Sequence, residues 1–358
     1  MIYFEPLKAR VPFPLMQEYC AQKGLPSARG WEPLRVKLDE EADRNLPRAA
    51  EIAAALEEIF HEAITLGTRA VKVFQVDEHL RASYLAALMA VQPEQSDYLE
   101  VYPRPLTAQQ LAAVPAEMKV CAVTPADDGG SVQIVLCGRR MIEVKEPRTR
   151  ADIGADAINE FGWEQYDEFI LIRRRFVQSY EVIRFDQASG VLELRVEDYT
   201  GADTGLALQA LRDTANGLLV QALGNQVHLA LCRNLFPAIR TIYDTPNEGI
   251  VVELGFTTAT GSAKHEKMRA SRTDLRTELF HVGGKNAING ALTPFRIAVR
   301  WSAGGQRGQS LQEEVLLPGS IRQLGGGIPF LDHMVLSGAL TEPMMQALVA
   351  RVLAHLPP

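Results

Sequence analysis

The apolar pattern of this chain changes character at Met118, and that change constrains the fold more than any motif does. Upstream, apolar residues recur at helical spacing. In Pro47–Leu66, residues Ile52, Leu56, Ile59, Phe60, Ala63 and Leu66 share one face, with Glu51, Glu57, Glu58 and Glu62 opposite. Asn45 is placed to cap this helix, Pro47 suits its first turn, and Gly67 stops it. Downstream, runs of strand length dominate and come in blocks rather than alternating with helices. That pattern predicts an α+β fold, with mixed or antiparallel sheets, flanking helices and two subdomains.

The first region adds a strand over Ala70–Val76, a helix over Glu78–Ala90 and a short strand over Tyr98–Tyr102. Strands are then predicted over Met118–Val123, Ser131–Cys137 and Met141–Lys145, with turns at Gly129-Gly130 and Gly138-Arg139. Pro147–Asp167 is polar and irregular apart from a short helix over Ala155–Phe161, and is the expected boundary. The organisation is thus a helix-rich α/β domain over 1–150, ending in a β-hairpin, and an α+β domain over 166–358.

In the second region, Phe169–Phe185 and Val191–Val196 form a hairpin through Asp186–Gly190. A helix over Gly205–Leu223 has Asp203 as its cap. Strands follow over Gly249–Thr257 and Pro294–Trp301, and a last helix over Glu342–His355 is capped by Thr341. Arg173-Arg174-Arg175 inside a strand must put charge on both faces, which marks an edge guarded by charge or a contact site.

Bulk properties exclude several classes. A chain that is 47% hydrophobic is not disordered, and its apolar stretches are too short to span a bilayer. Cys20, Cys121, Cys137 and Cys232 are widely spaced, form no C-x-x-C pair and read as buried thiols of a reducing compartment. The opening MIYFEPLKARVPFPL, broken by Glu5, Lys8 and Arg10, lacks the apolar region of a signal peptide. The expected setting is the cytoplasm, of a bacterial type by Ala, Leu and Arg usage, with no membrane partner.

Charge is unevenly distributed. The whole chain carries a net charge of −7, yet residues 258–300 hold eight Lys or Arg against three acidic residues. Lys264, Lys267, Arg269, Arg272, Arg276 and Lys285 fall in what reads as one long basic connection, 258–293, between two strands. Lysine point charges, arginine forks and interspersed glycines suit a phosphate backbone. The leading expectation is a non-catalytic binding or assembly subunit of a complex, meeting a nucleic acid or a protein through this stretch without a cofactor. A purely protein-binding scaffold is a further alternative.

One motif suggests chemistry. Thr124-Pro125-Ala126-Asp127-Asp128-Gly129, followed by Glu143-Val144-Lys145, resembles the signature of the PD-(D/E)-x-K nuclease superfamily. The resemblance implies that Asp128 and Glu143 hold Mg²⁺ or Mn²⁺ while Lys145 positions the attacking water. With a turn at Gly138-Arg139, Glu143 would face Ile134 and Lys145 would face Val132. Asp128 would then lie about 20 Å beyond, unless the chain folds back at Gly129-Gly130.

Other patterns fail on a residue. His61-Glu62 starts a zincin motif that Thr65 breaks, and Gly283-Gly284-Lys285-Asn286 lacks the first glycine and the hydroxyl of a P-loop. His265, His281 and His333 are too widely spaced for a metal template, so no metal site is expected.

Overall fold

The computed structural model describes residues 2–198, 203–224, 228–229, 231–269, 272–288, 292–304 and 310–357. The chain opens with four helices: Phe4–Lys8 (α1), Phe13–Gln22 (α2), Trp31–Arg44 (α3) and Leu46–Leu66 (α4). Strand Arg69–Gln75 (β1) follows, then helices Arg81–Met89 (α5), Asp97–Val101 (α6) and Ala108–Ala113 (α7). Lys119–Pro125 (β2) and Ser131–Thr149 (β3) lead to two short helices, Arg150–Ile153 (α8) and Ala155–Phe161 (α9). Glu168–Asp186 (β4), Val191–Glu197 (β5), Thr204–Leu223 (α10) and Phe236–Asp244 (α11) come next. The rest is Ile250–Thr258 (β6), Ala263–Lys267 (β7), Leu279–Ala287 (α12), Leu292–Gly304 (β8), Ser310–Leu317 (β9), Met334–Ser337 (β10) and Glu342–Ala354 (α13).

The ten strands form one sheet in the order β2-β3-β4-β5-β1-β10-β9-β8-β6-β7, and every pairing is antiparallel. The fold is therefore α+β, as the blocks of pattern imply. Early and late chain meet at its centre: β1 lies between β5 and β10.

Successive residues of a strand point to opposite faces, and both faces of the β2–β1 half are covered where β3 and β4 have neighbouring strands. On one, α5 and α10 bring Leu85, Leu88, Leu208 and Leu211 onto Ile134, Ile183, Leu192 and Leu194. On the other, Phe60 and Ile64 of α4 join Val135, Cys137 and Tyr180. At the far end α11 and α13 cover Val251, Leu254, Ile297 and Val299. Each such fully buried side chain contributes about 2 kcal/mol by leaving water.

Several elements depart from the sequence expectation. Tyr98–Tyr102 is not a strand: Asp97–Val101 is helical, because the Ser96 hydroxyl accepts from the amide of Leu99 and caps it. Gly138-Arg139 is not a turn either, since β3 runs straight through and pairs with β4 from Ser131 to Thr149. Gly138 serves close approach instead. A Cβ there would sit 3.0 Å from the Met118 side chain. Of the Pro147–Asp167 stretch read as the boundary, residues 147–149 end β3 and residues 150–167 form the tip joining β3 to β4. Among the described residues no helix is long and apolar enough to cross a membrane.

Candidate functional site

The basic stretch is not one long connection. It contains β7, a 3₁₀ turn at Leu275–Thr277 and α12. β7 alternates Lys264 and Glu266 with His265 and Lys267, so its hydrophobicity reads as loop. Pairing with β6, Lys264 opposite Phe256 and Lys267 opposite Glu253, makes it a strand. It is the last strand of the sheet, and its outer edge pairs with no other strand among the described residues. Residues 270–271 and 289–291 of the stretch lie outside the described residues.

The six cations divide into two groups. Lys264, Lys267, Arg269 and Arg272 are exposed on or just beyond β7. Arg276 turns inward. Its guanidinium bonds Asp274 at 2.6 Å and the carbonyls of Thr245 and Gly249 at 2.6 and 2.7 Å, clamping the loop between α11 and β6. Lys285 lies 4.7 Å from the centroid of the Tyr243 ring, a cation–π contact.

Glu253, which sequence reasoning passed over inside an apolar run, organises this edge. It is 5% exposed and faces His265 Nε2 at 2.9 Å, Lys267 Nζ at 3.1 Å and the Arg296 guanidinium. Burial pushes its carboxyl up. The hydrogen bonds from Arg296, His265 and Lys267 outweigh that and hold its pKa at about 2. One carboxylate thus answers several cations, and the edge keeps a positive surplus. Lys267 stays 70% exposed while touching Glu253.

The histidines pair with carboxylates rather than with one another. His281 Nδ1 lies 2.6 Å from Glu266 and its Nε2 lies 2.8 Å from the Tyr243 hydroxyl, while His333 lies 2.7 Å from Asp332. Among the described residues no three His, Cys, Asp or Glu side chains cluster as a metal site.

The nuclease-like residues are not brought together. Asp128 sits in the turn between β2 and β3, where its carboxylate accepts from the amide of Gly130 at 2.9 Å. Glu143 and Lys145 do share a strand face, 3.5 Å apart. Glu143 is opposite Arg174 rather than Ile134, and bonds it at 3.3 Å, because β3 does not turn at Gly138. From Ser131 to Glu143 the strand extends about 40 Å, so one metal ion cannot bridge Asp128 and Glu143.

A cleft of about 1030 Å³ opens where β3 and β4 leave the sheet, lined by Arg10, Leu106, Ile142, Arg175 and Gln178 among others. Beneath it lies a buried ionic network. Arg10 Nε bonds Glu197 at 3.0 Å, Glu197 accepts from the Tyr180 amide at 3.0 Å, and Glu181 accepts from the Glu197 amide at 3.2 Å. Burial drives Glu181 up to a pKa of about 7, against the opposing pull of Arg140. Charged residues within strand runs were the only sequence signal for this network.

No protein-family model matches this chain, and no curated protein matches it significantly.

Proposed function

We propose that this protein is a non-catalytic binding or assembly subunit that meets an anionic partner, nucleic acid first, along the outer edge of β7. The observation that carries this reading is an edge strand, unpaired on its outer side among the described residues, bearing exposed Lys264 and Lys267, with Arg269 and Arg272 just beyond. The surplus around Glu253 supports it, because that carboxylate is already engaged. The four cysteines form no disulfide among the described residues and three of them are buried, which supports a reducing, cytoplasmic setting. The acidic remainder of the chain favours a localised contact over general coating of DNA.

Fluorescence anisotropy with labelled duplex and single-stranded DNA and RNA tests the reading, at low and high salt with EDTA present. Binding that weakens steeply as salt rises is the expected result. No binding at low salt overturns it and leaves a protein partner for this edge.

A further inference from the structure

Residues 139–149 of β3 and 168–177 of β4 pair only with each other among the described residues. β2 ends opposite Cys137, and β5 first meets β4 at Val182. The two strands leave the sheet as a ribbon about 35 Å long. A two-stranded ribbon with both outer edges free is marginal in water. This one also presents a largely exposed face on which apolar and charged side chains are mixed. Met141 lies opposite Phe176, Glu143 opposite Arg174, Lys145 opposite Ile172 and Pro147 opposite Ile170, and the four large apolar side chains are 44–66% exposed. The tip leaves that face bare. Its aromatic cluster, Trp163 and Tyr166, packs on Phe169, which belongs to the opposite face.

Charge says what covers the ribbon. Arg139 and Arg140 are tied into the base by the Leu111, Ala112 and Glu197 carbonyls. Beyond them the two strands carry Lys145, Arg148, Arg173, Arg174 and Arg175 against Glu143, Glu146 and Glu168. The tip, 150–167, carries five carboxylates against Arg150 alone, so a stem of net charge +2 supports a tip of net charge −4. Two such ribbons laid antiparallel about a twofold axis set each acidic tip over the other's basic stem and cover the exposed Met141, Ile170, Ile172 and Phe176 side chains. We propose that the β3–β4 ribbon is a dimerisation arm whose partner is the same arm of a second copy of this chain. This contact is separate from the β7 edge, and neither depends on the other.

Sedimentation velocity tests it. The wild-type chain is expected at twice the chain mass, dissociating as salt is raised. A stem variant (Arg173→Glu, Arg174→Glu, Arg175→Glu) and a tip variant (Asp156→Lys, Glu160→Lys, Glu164→Lys) are each expected at the mass of one chain. Mixed, they are expected to recover the doubled mass, because each then offers the charge that the other has lost. A monomeric wild type, variants that remain dimeric, or a mixture that stays monomeric overturns the proposal. Circular dichroism checks that the variants fold. Should they not, amide exchange of wild type over Ile170–Phe176 decides: protection that rises with protein concentration supports the arm contact, and concentration-independent exchange overturns it.

Discussion

Arg195 and Glu342 stand 147 positions apart and are joined by two hydrogen bonds, at 2.8 and 2.6 Å, that tie β5 to the first turn of α13. Arg195 is fully buried and also meets Glu193 at 2.9 Å. Glu342→Ala leaves that guanidinium with a single carboxylate partner, and breaking a buried pair of this kind costs about 3 kcal/mol. Urea unfolding at neutral pH reads the loss. Burial pushes the Glu342 carboxyl up, but Arg195 and Arg184 hold it below the usual range. The pair's contribution is therefore full above the ordinary carboxylate pKa and is lost as pH falls through the lowered value.

Glu181 runs the other way. Its folded pKa of about 7 lies above the unfolded value, so the native state holds an extra proton between those two points. Stability falls as pH rises through that window. Glu181→Gln is expected to flatten the slope and to stabilise the protein above pH 7 by up to about 3 kcal/mol. Urea midpoints of wild type and variant at pH 5 and pH 8 test this. Equal pH slopes for the two proteins would count against it.

The chain Tyr243–His281–Glu266 holds α11, α12 and β7 together, and His281 is 2% exposed. Tyr243→Phe removes one hydrogen bond and leaves a buried imidazole nitrogen unpaired, at a cost of about 1–3 kcal/mol. Thermal unfolding reads it. Proteolysis within α12 should also speed up relative to cleavage elsewhere.

The cations of the basic stretch should not be equivalent. Lys264→Ala, Lys267→Ala and Arg269→Ala are each expected to weaken nucleic-acid binding and to lower the log–log salt slope by about 1. Lys285→Ala should leave that slope unchanged, because its ammonium lies on the Tyr243 ring. Arg276→Ala should instead lower stability, by releasing the Thr245 and Gly249 carbonyls.

The long helices and paired strands were legible because local pattern alone specifies them. Pro47–Leu66 is realised as Leu46–Leu66, Gly205–Leu223 as Thr204–Leu223 with the Asp203 cap in place, and Glu342–His355 as Glu342–Ala354 with the Thr341 cap. The hairpin through Asp186–Gly190 also forms between β4 and β5. What stayed hidden depends on contacts distant in sequence. β7 is a strand only because β6 lies beside it, and β10 is four residues long. β3 carries a glycine that looked like a turn and instead makes room for Met118. At the basic stretch, composition located the charge but could not separate exposed Lys264 from Arg276, which is held by Asp274 and by backbone carbonyls of another loop.

β10 has a consequence for how the chain is made. Its four residues supply the strand link between β1, completed by residue 75, and β9, completed by residue 317. During synthesis β1 therefore waits, one edge unsatisfied, until residues 334–337 have left the ribosome. A nascent or truncated chain that stops short of Met334 presents the bare edges of both β1 and β9, which invites pairing with other chains. Termination between β9 and Met334 should therefore yield insoluble protein rather than a shortened soluble one.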